Sequence, residues 1–267
     1  MAAPPAMKED GEYRNWAELP DGLTSSILSR LDTVDILENA QKVCTSWRRV
    51  CKNPAMFRKI DMRNSEDMGY SIEIIKIVMG ISGDNLEIMC RHAVDRSQGG
   101  LVEINIRHIG SDSLLNYIAD SSRNLRSLKV ALIPTITIGG LTESLVKLPL
   151  LEELQVSYST LWGDSLKKIG QSCPKLKTLL LHCFGIAGVC DDEDALAIAE
   201  TMPGLRTLQL LSNGLTDAGL NAILDNCPDL ENLDLSLCLN VFLVGDLEKR
   251  CSERMSVFIR PNDSTHE

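Results

Sequence analysis

A chain of 267 residues is long for one ordinary globular unit and allows a small head on a larger body. Its residues are 44% hydrophobic but only 4% aromatic, so the core is expected to consist of Leu, Ile, Val and Met layers rather than an aromatic centre. The net charge of −10 is uneven: residues 1–64 carry ten Lys/Arg against nine Asp/Glu, while residues 65–267 carry seventeen against twenty-eight, which makes nucleic acid and anionic membrane poor partners for the body.

In chain order, the opening MAAPPAMKEDGEYRN is a small-residue and charged tail, expected to be disordered over residues 1–14. Residues 16–60 then show three short helical stretches, at about 22–31, 33–41 and 42–51, with Asp21 and Asp32 as candidate caps and Pro54 beyond the third. Their apolar residues include Leu23, Ile27, Leu28, Leu31, Val34, Ile36, Leu37, Val43, Cys44, Trp47 and Val50. A three-helix unit of about 45 residues cannot hide so many inside itself, so some should form an exposed, partner-binding patch. The cluster Arg48, Arg49, Lys52, Arg58 and Lys59 reads either as a solvated face or as a surface that steers an acidic partner.

KIDM, at 59–62, is the expected first strand, and NLEIMCRHAVDRSQGG the first long helix, with an apolar stripe of Leu86, Met89, Cys90, Ala93 and Val94 and a Gly99-Gly100 stop. Between them, SIEIIKIVMGIS suits either helix or strand; with Glu73 and Lys76 in about a dozen residues, it is too short and too charged to span a bilayer.

From residue 101 onward the chain repeats itself. Leucines opening an L-x-x-[L/I]-x-[L/I/V] run stand at 101, 125, 151, 176, 205 and 230, with gaps of 24, 26, 25, 29 and 25 residues. Pro149, Pro174, Pro203 and Pro228 each precede the next opening leucine by two residues, and Leu115, Leu141, Leu166 and Leu220 by ten. Each unit reads as a short strand of period 2 and then a helix of period 3.6, with Asp112, Asp164, Asp194 and Asp217 as candidate N-caps. One unit cannot bury its leucines alone, but stacked units share a continuous core. The longest unit contains four consecutive acids in GVCDDEDALAIAE, read as complementing a helix start, with a partner-contacting loop as the other reading. MSVFIRP is the expected last strand, its edge blunted by Arg260-Pro261.

The nine cysteines, at 44, 51, 90, 173, 183, 190, 227, 238 and 251, include no C-x-x-C pair. With no charged-then-apolar opening segment, they indicate an intracellular protein with reduced thiols, placed in the nucleus and/or cytoplasm. Cys173 and Cys227 share a repeat position with Ser122, Leu148 and Met202, which marks them as small packing residues rather than metal ligands.

The repeats match the leucine-rich-repeat pattern of about 25 residues with cysteine near the repeat ends. The head, LPDGLTSSILSRLDTVDILENAQKVCTSWRRV, resembles the F-box, and KNPAMFRKIDM resembles the segment that follows one. Together they look like the plant Skp-interacting F-box/leucine-rich-repeat proteins. The resemblance implies an α/β architecture: a disordered tail at 1–14, a three-helix F-box at 15–60, a right-handed solenoid at 61–260 of about seven repeats with an irregular first one, and a polar tail at 261–267. Parallel strands would line the concave face, with helices outside. It further implies docking onto a Skp-type adaptor, and through it a cullin, by Leu19, Pro20, Ile27, Leu28, Leu31, Ile36, Leu37, Val43, Cys44 and Trp47. The repeats would hold an unknown protein substrate for ubiquitination and proteasomal degradation.

The exposed strand positions fall into three columns: Asn105, Lys129, Gln155, Leu180, Gln209 and Asp234; then Arg107, Ala131, Ser157, His182, Leu211 and Ser236; then His108, Leu132, Tyr158, Cys183, Ser212 and Leu237. Lys129, Leu132, Gln155, Tyr158, Leu180, His182, Gln209, Leu211, Asp234 and Leu237 are the candidate substrate contacts, with Tyr158 as anchor. Enzyme chemistry is not expected. His92, His108, His182 and His266 stand in no nucleophile, zinc or phosphate motif, and no cofactor is called for. The alternative is a leucine-rich scaffold or inhibitor acting without a ligase. A small-molecule receptor ranks below both, because about seven repeats curve too little to enclose a pocket.

Overall fold

The computed structural model describes residues 16–62, 84–107, 109–159, 161, 163–183 and 191–263. SIEIIKIVMGIS, His108, the stretch 184–190 and both tails lie outside them.

The head opens with a 3-10 turn, Trp16–Glu18, and helix α1, Asp21–Leu28. Next come three consecutive helical segments: α2, Thr33–Asp35, a π turn, Ile36–Ala40, and α3, Gln41–Val43. Asp32 caps α2 as expected, its carboxylate accepting from the Asp35 amide at 2.7 Å. Cys44 turns to φ −158° and becomes the N-cap of α4, Thr45–Cys51. The second helical stretch therefore runs two residues further than its pattern predicted. Pro54–Phe57 then form a 3-10 turn that leads into the sheet.

Among the described residues, eight strands form one parallel sheet in chain order: β1 Lys59–Asp61, β2 Glu103–Asn105, β3 Ser127–Ala131, β4 Glu153–Ser159, β5 Thr178–Cys183, β6 Thr207–Leu211, β7 Asn232–Asp234 and β8 Val257–Ile259. The crossover helices are α5 Asp84–Arg96, α6 Asp112–Ser121, α7 Ile138–Leu145, α8 Gly163–Ser172, α9 Glu193–Thr201, α10 Asp217–Asn226 and α11 Leu247–Arg254. Register aligns Ile60, Ile104, Leu128, Leu154, Leu179, Leu208 and Leu233 in one buried row. Cys90, Ala93, Leu115, Leu141, Leu166, Ile198 and Leu220 close the core from the helix side. Head and ladder share this core, which runs from Leu28 to Met255.

The acidic helix starts have a different job from the one their sequence positions suggest. Ser111 and Thr216, not Asp112 and Asp217, cap α6 and α10. Each hydroxyl satisfies a helix amide, leaving the neighbouring carboxylate free to reach into the next repeat. Asp112 accepts from the Thr137 amide and hydroxyl, both at 2.8 Å, and Asp192 accepts from the Thr216 amide at 2.7 Å and hydroxyl at 2.8 Å. Gly140 and Gly219 stand three residues after these threonines, where a Cβ would sit 2.1 Å from the Asp112 carboxyl or 2.3 Å from that of Asp192. The aspartate can cross only because that methyl is missing. Asp217 accepts from three amides in succession, those of Phe242, Leu243 and Val244, at 2.9–3.0 Å. Asp164 lies in the first turn of α8.

Within the acidic run, Asp191 accepts from the Glu193 amide, and Asp194 accepts from the Asn213 amide nitrogen at 3.0 Å. These acids are therefore spent partly on the following repeat.

Cys173 and Cys227 are buried, and their thiols lie nearest the carbonyls of the preceding repeat, such as Cys227 Sγ to Met202 O at 3.5 Å. Burial pushes them up to about 12 and about 11, so they stay protonated packing groups. Ser122, at the equivalent position, buries a hydroxyl with no hydrogen-bond partner among the described residues. Ser122→Cys should therefore stabilise the chain by about 1 kcal/mol, read as a higher urea midpoint at unchanged m-value.

Burial, reinforced by nearby Asp191 and Glu193 and opposed by the Asn213 hydrogen bond, pushes the Asp194 carboxyl from 3.8 up to about 6. A raised acid pKa means that the folded state binds the extra proton, so this contribution is complete below about pH 4 and is lost as pH rises through about 6. Asp194→Asn, which keeps an acceptor for Asn213, should flatten the stability profile between those values in urea titrations.

Candidate functional site

Two faces gather the candidate binding residues. The first is on the head. Leu23 and Ile27, at i and i+4 of α1, are 57% and 38% exposed, while Leu28 on the other face of the same helix is buried. Leu31 and Val43, just beyond α1 and at the end of α3, remain 39% and 61% exposed, and Trp16 62%. Of the adaptor-binding candidates, Pro20, Ile27, Leu31 and Val43 are exposed, Leu19, Cys44 and Trp47 are half-buried, and Leu28, Ile36 and Leu37 are inside the core.

Geometry explains the split. The helical stretch from Thr33 to Val43 lies between α4 and β1 and has to bury Ile36, Leu37 and Ala40 against them. Trp16 and Leu23 join the exposed set; Leu23 was among the head's surplus apolar residues, but neither was an adaptor-binding candidate. The i, i+4 pairing of Leu23 with Ile27, one stripe round from the buried Thr24 and Leu28, was the available signal.

An ion pair links α1 to α4 beside this face. Arg49 of α4 donates from Nε and a terminal nitrogen to the two oxygens of Asp21, at 3.1 and 2.6 Å, and holds that carboxyl below its usual range. Trp47 donates its indole N–H to the Trp16 carbonyl at 3.4 Å. The Asp61 amide donates to Thr33 Oγ1 at 3.0 Å, tying the head to β1. Of the basic cluster, Arg49 is thus engaged with Asp21 and Lys59 with Glu103, leaving Arg48, Lys52 and Arg58 without an ion pair among the described residues.

The second face is the exposed side of the sheet. Asp61, Asn105, Lys129, Gln155, Leu180, Gln209, Asp234 and Ile259 form one aligned row, so the first predicted column is a row of the structure. Ala131, Ser157, His182 and Leu211 form the second. The third column is not a strand row: the register shifts between Ser157 and Ser159, so Cys183 pairs with Ser159 and Tyr158 is bulged out at φ 53°. Ser212 and Leu237 repeat that left-handed turn at φ 57° and 61°.

Burial also revises the expectation of a water-facing apolar column. Leu237 is 49% exposed, but Leu132, Tyr158, Leu180 and Leu211 are half-buried, and Asn105, Ala131, Gln155 and Ser236 are buried. Leu132 packs on the core.

A polar chain runs across the end of this face. Gln209 Nε2 donates to Asp234 at 2.6 Å, leaving its oxygen to accept from His182 Nε2 at 3.0 Å, and Asp234 also accepts from the Ser236 amide and hydroxyl. Lys129 pairs with Glu153 at 3.1 Å. His182 and Cys183 diverge: the Cys183 sulfur faces the Asn213 amide nitrogen at 3.9 Å. Beyond β7 a loop missed by periodicity presents Leu239, Phe242 and Val244 at 53%, 75% and 71% exposure, on a backbone gripped by Asp217. Among the described residues, no group of three His, Cys, Asp or Glu side chains could hold a metal, and no helix is long and apolar enough to cross a membrane.

A family model described as F-box-like matches residues 16–63. F-box protein SKIP19 of Arabidopsis thaliana is 57% identical over all of this chain and 83% of its own length. Putative F-box/LRR-repeat protein 23 of the same plant is 54% identical over 97% of this chain and 56% of itself. Putative F-box/LRR-repeat protein 9, also from Arabidopsis thaliana, is 55% identical over 92% of this chain and 96% of itself. A helical F-box head, a parallel ladder in chain order and relatives that match nearly end to end agree: the chain belongs to the plant F-box/leucine-rich-repeat protein family.

Proposed function

We propose that the chain is the non-catalytic substrate-recognition subunit of a Skp-cullin-F-box ubiquitin ligase. The head docks a Skp-type adaptor, and through it the cullin, while the ladder holds a protein destined for ubiquitination and degradation. The observation that carries this reading is the spare apolar surface of the head: Leu23, Ile27, Leu31 and Val43 stay in water although a continuous core lies within reach. An element that merely capped the solenoid would turn such side chains inward. Pro20 belongs to the same surface, with Leu19, Cys44 and Trp47 at its margin, whereas Leu28, Ile36 and Leu37 act indirectly by holding the helices in place. Leu180, Leu211, Tyr158 and Leu237 offer the target apolar contacts between polar groups at Lys129, His182, Gln209 and Asp234. Rigid coupling of the two faces turns target capture into a high local concentration of its lysines near the ubiquitin-loaded enzyme.

Leu23→Asp with Val43→Asp should weaken co-elution of the full chain with a Skp-type adaptor more than ~10-fold, with the thermal unfolding midpoint unchanged, because both sites are exposed already. Undiminished complex formation would assign the head to capping and favour a scaffold or inhibitor that works without a ligase.

Tyr158→Asp, Leu180→Asp and Leu211→Asp together should leave adaptor binding intact. In cells with the proteasome blocked, they should remove the proteins that accumulate on the wild-type chain. Retention of every such protein would exclude this face as the target site.

A further inference from the structure

Three helical segments, α3, α4 and α5, bring their side chains to one cleft of about 500 Å3 between the head and the first repeat. Among the described residues its wall holds four cations, Lys42, Arg48, Lys52 and Arg96, together with Gln41, Cys44 and Thr45, and no carboxylate. In a chain of net charge −10 this is an exceptional neighbourhood. Arg49, next along α4, is neutralised by Asp21, and Lys59 by Glu103, whereas Arg48 and Lys52 have no ion pair among the described residues. Among the described residues, Lys42 pairs only with the exposed Glu38 on its own helical stretch. Arg96 is half-buried and fixed, with one nitrogen donating to Gln41 Oε1 at 3.2 Å and its guanidinium 5.7 Å over the buried Phe57 ring.

Like charges gathered in a concavity add their potentials, and the low-dielectric wall keeps the field from being dispersed. A single carboxylate would answer one of these four cations. A phosphate group brings a charge of about −1.5 to −2 and three strongly accepting oxygens, which suits two guanidinium forks, two ammonium groups and a hydroxyl. We propose that this cleft is a binding site for a multiply charged phosphate group, bridging the head and the first repeat through Arg48, Lys52 and Arg96. A free oligophosphate and a phosphorylated side chain present the same chemistry, and the cleft is large enough for either.

The test uses the full chain, with inorganic pyrophosphate and O-phosphoserine as separate probes and sodium chloride matched for ionic strength as the control. Pyrophosphate should bind by calorimetry with Kd below ~1 mM and raise the thermal midpoint, where sodium chloride does neither. Arg48→Gln with Lys52→Gln should weaken it at least ~10-fold, whereas Arg58→Gln, which removes an exposed cation outside the cleft, should change it less than ~2-fold. Tighter binding of one probe than the other supports the site and identifies the source of the group. Should the double variant unfold at a lower temperature without ligand, Lys52→Gln alone carries the comparison. No heat from either probe, equal affinity in the cleft variants, or an equal loss in Arg58→Gln would each overturn the proposal.

Discussion

A single repeat of this chain has too few neighbours to bury its own leucines, and every other property follows from the stacking that solves the problem. Each strand supplies one layer of a row such as Leu154, Leu179 and Leu208, and each helix closes that layer from outside. Apolar stacking alone leaves the loops free to slide. Asp112, Asp192 and Asp217 remove that freedom, because each stands on one repeat and hydrogen-bonds the loop of the next. Gly140 and Gly219 are the other half of the device, leaving room for the crossing carboxylate. The hydrophobic effect thus supplies the drive to stack, and oriented hydrogen bonds supply the register.

The same logic explains the head. Its buried side chains, Leu28, Ile36, Leu37 and Val50, continue the core of the ladder, so it behaves as a terminal layer as well as a surface. A terminal layer needs one apolar side. The head has two, and the second is spread over Leu23, Ile27, Leu31 and Val43. With Asp21 and Arg49 bracing α1 against α4 and Thr33 holding β1, this outer side is rigidly related to the exposed face of the sheet. In the proposed receptor role this continuous core sets the distance between the docking face and the holding face.

The repeat architecture was legible because it rests on period and spacing, which a chain shows whatever its side chains touch. The opening leucines, the prolines before them and the i, i+3, i+4 stripes all fell where stacking needed them, and the first exposed column proved to be a true row of the sheet. What escaped depends on partners about one repeat away. A sequence shows that Asp112 and Asp217 precede helices, but not that Ser111 and Thr216 have already taken the capping role. The bulge at Tyr158 comes from a left-handed residue at a strand end, and tyrosine announces no such preference. The expected columns placed Gln155 and Leu132 in water, yet the one is buried and the other packs on the core. The basic cleft was half visible: Arg48 and Lys52 belonged to a recognised run of cations, but Arg96 arrives from a helix some fifty residues later, and only folding shows that Arg49 and Lys59 are neutralised elsewhere.

The loop after β7 carries one more implication. Three successive amides, those of Phe242, Leu243 and Val244, converge on the single carboxylate of Asp217, so main-chain groups set the contour and the side chains at 242 and 244 take no part in it. Those two tips can therefore be exchanged like bits in a driver while their handle stays the same, with no redesign of the solenoid that bears them.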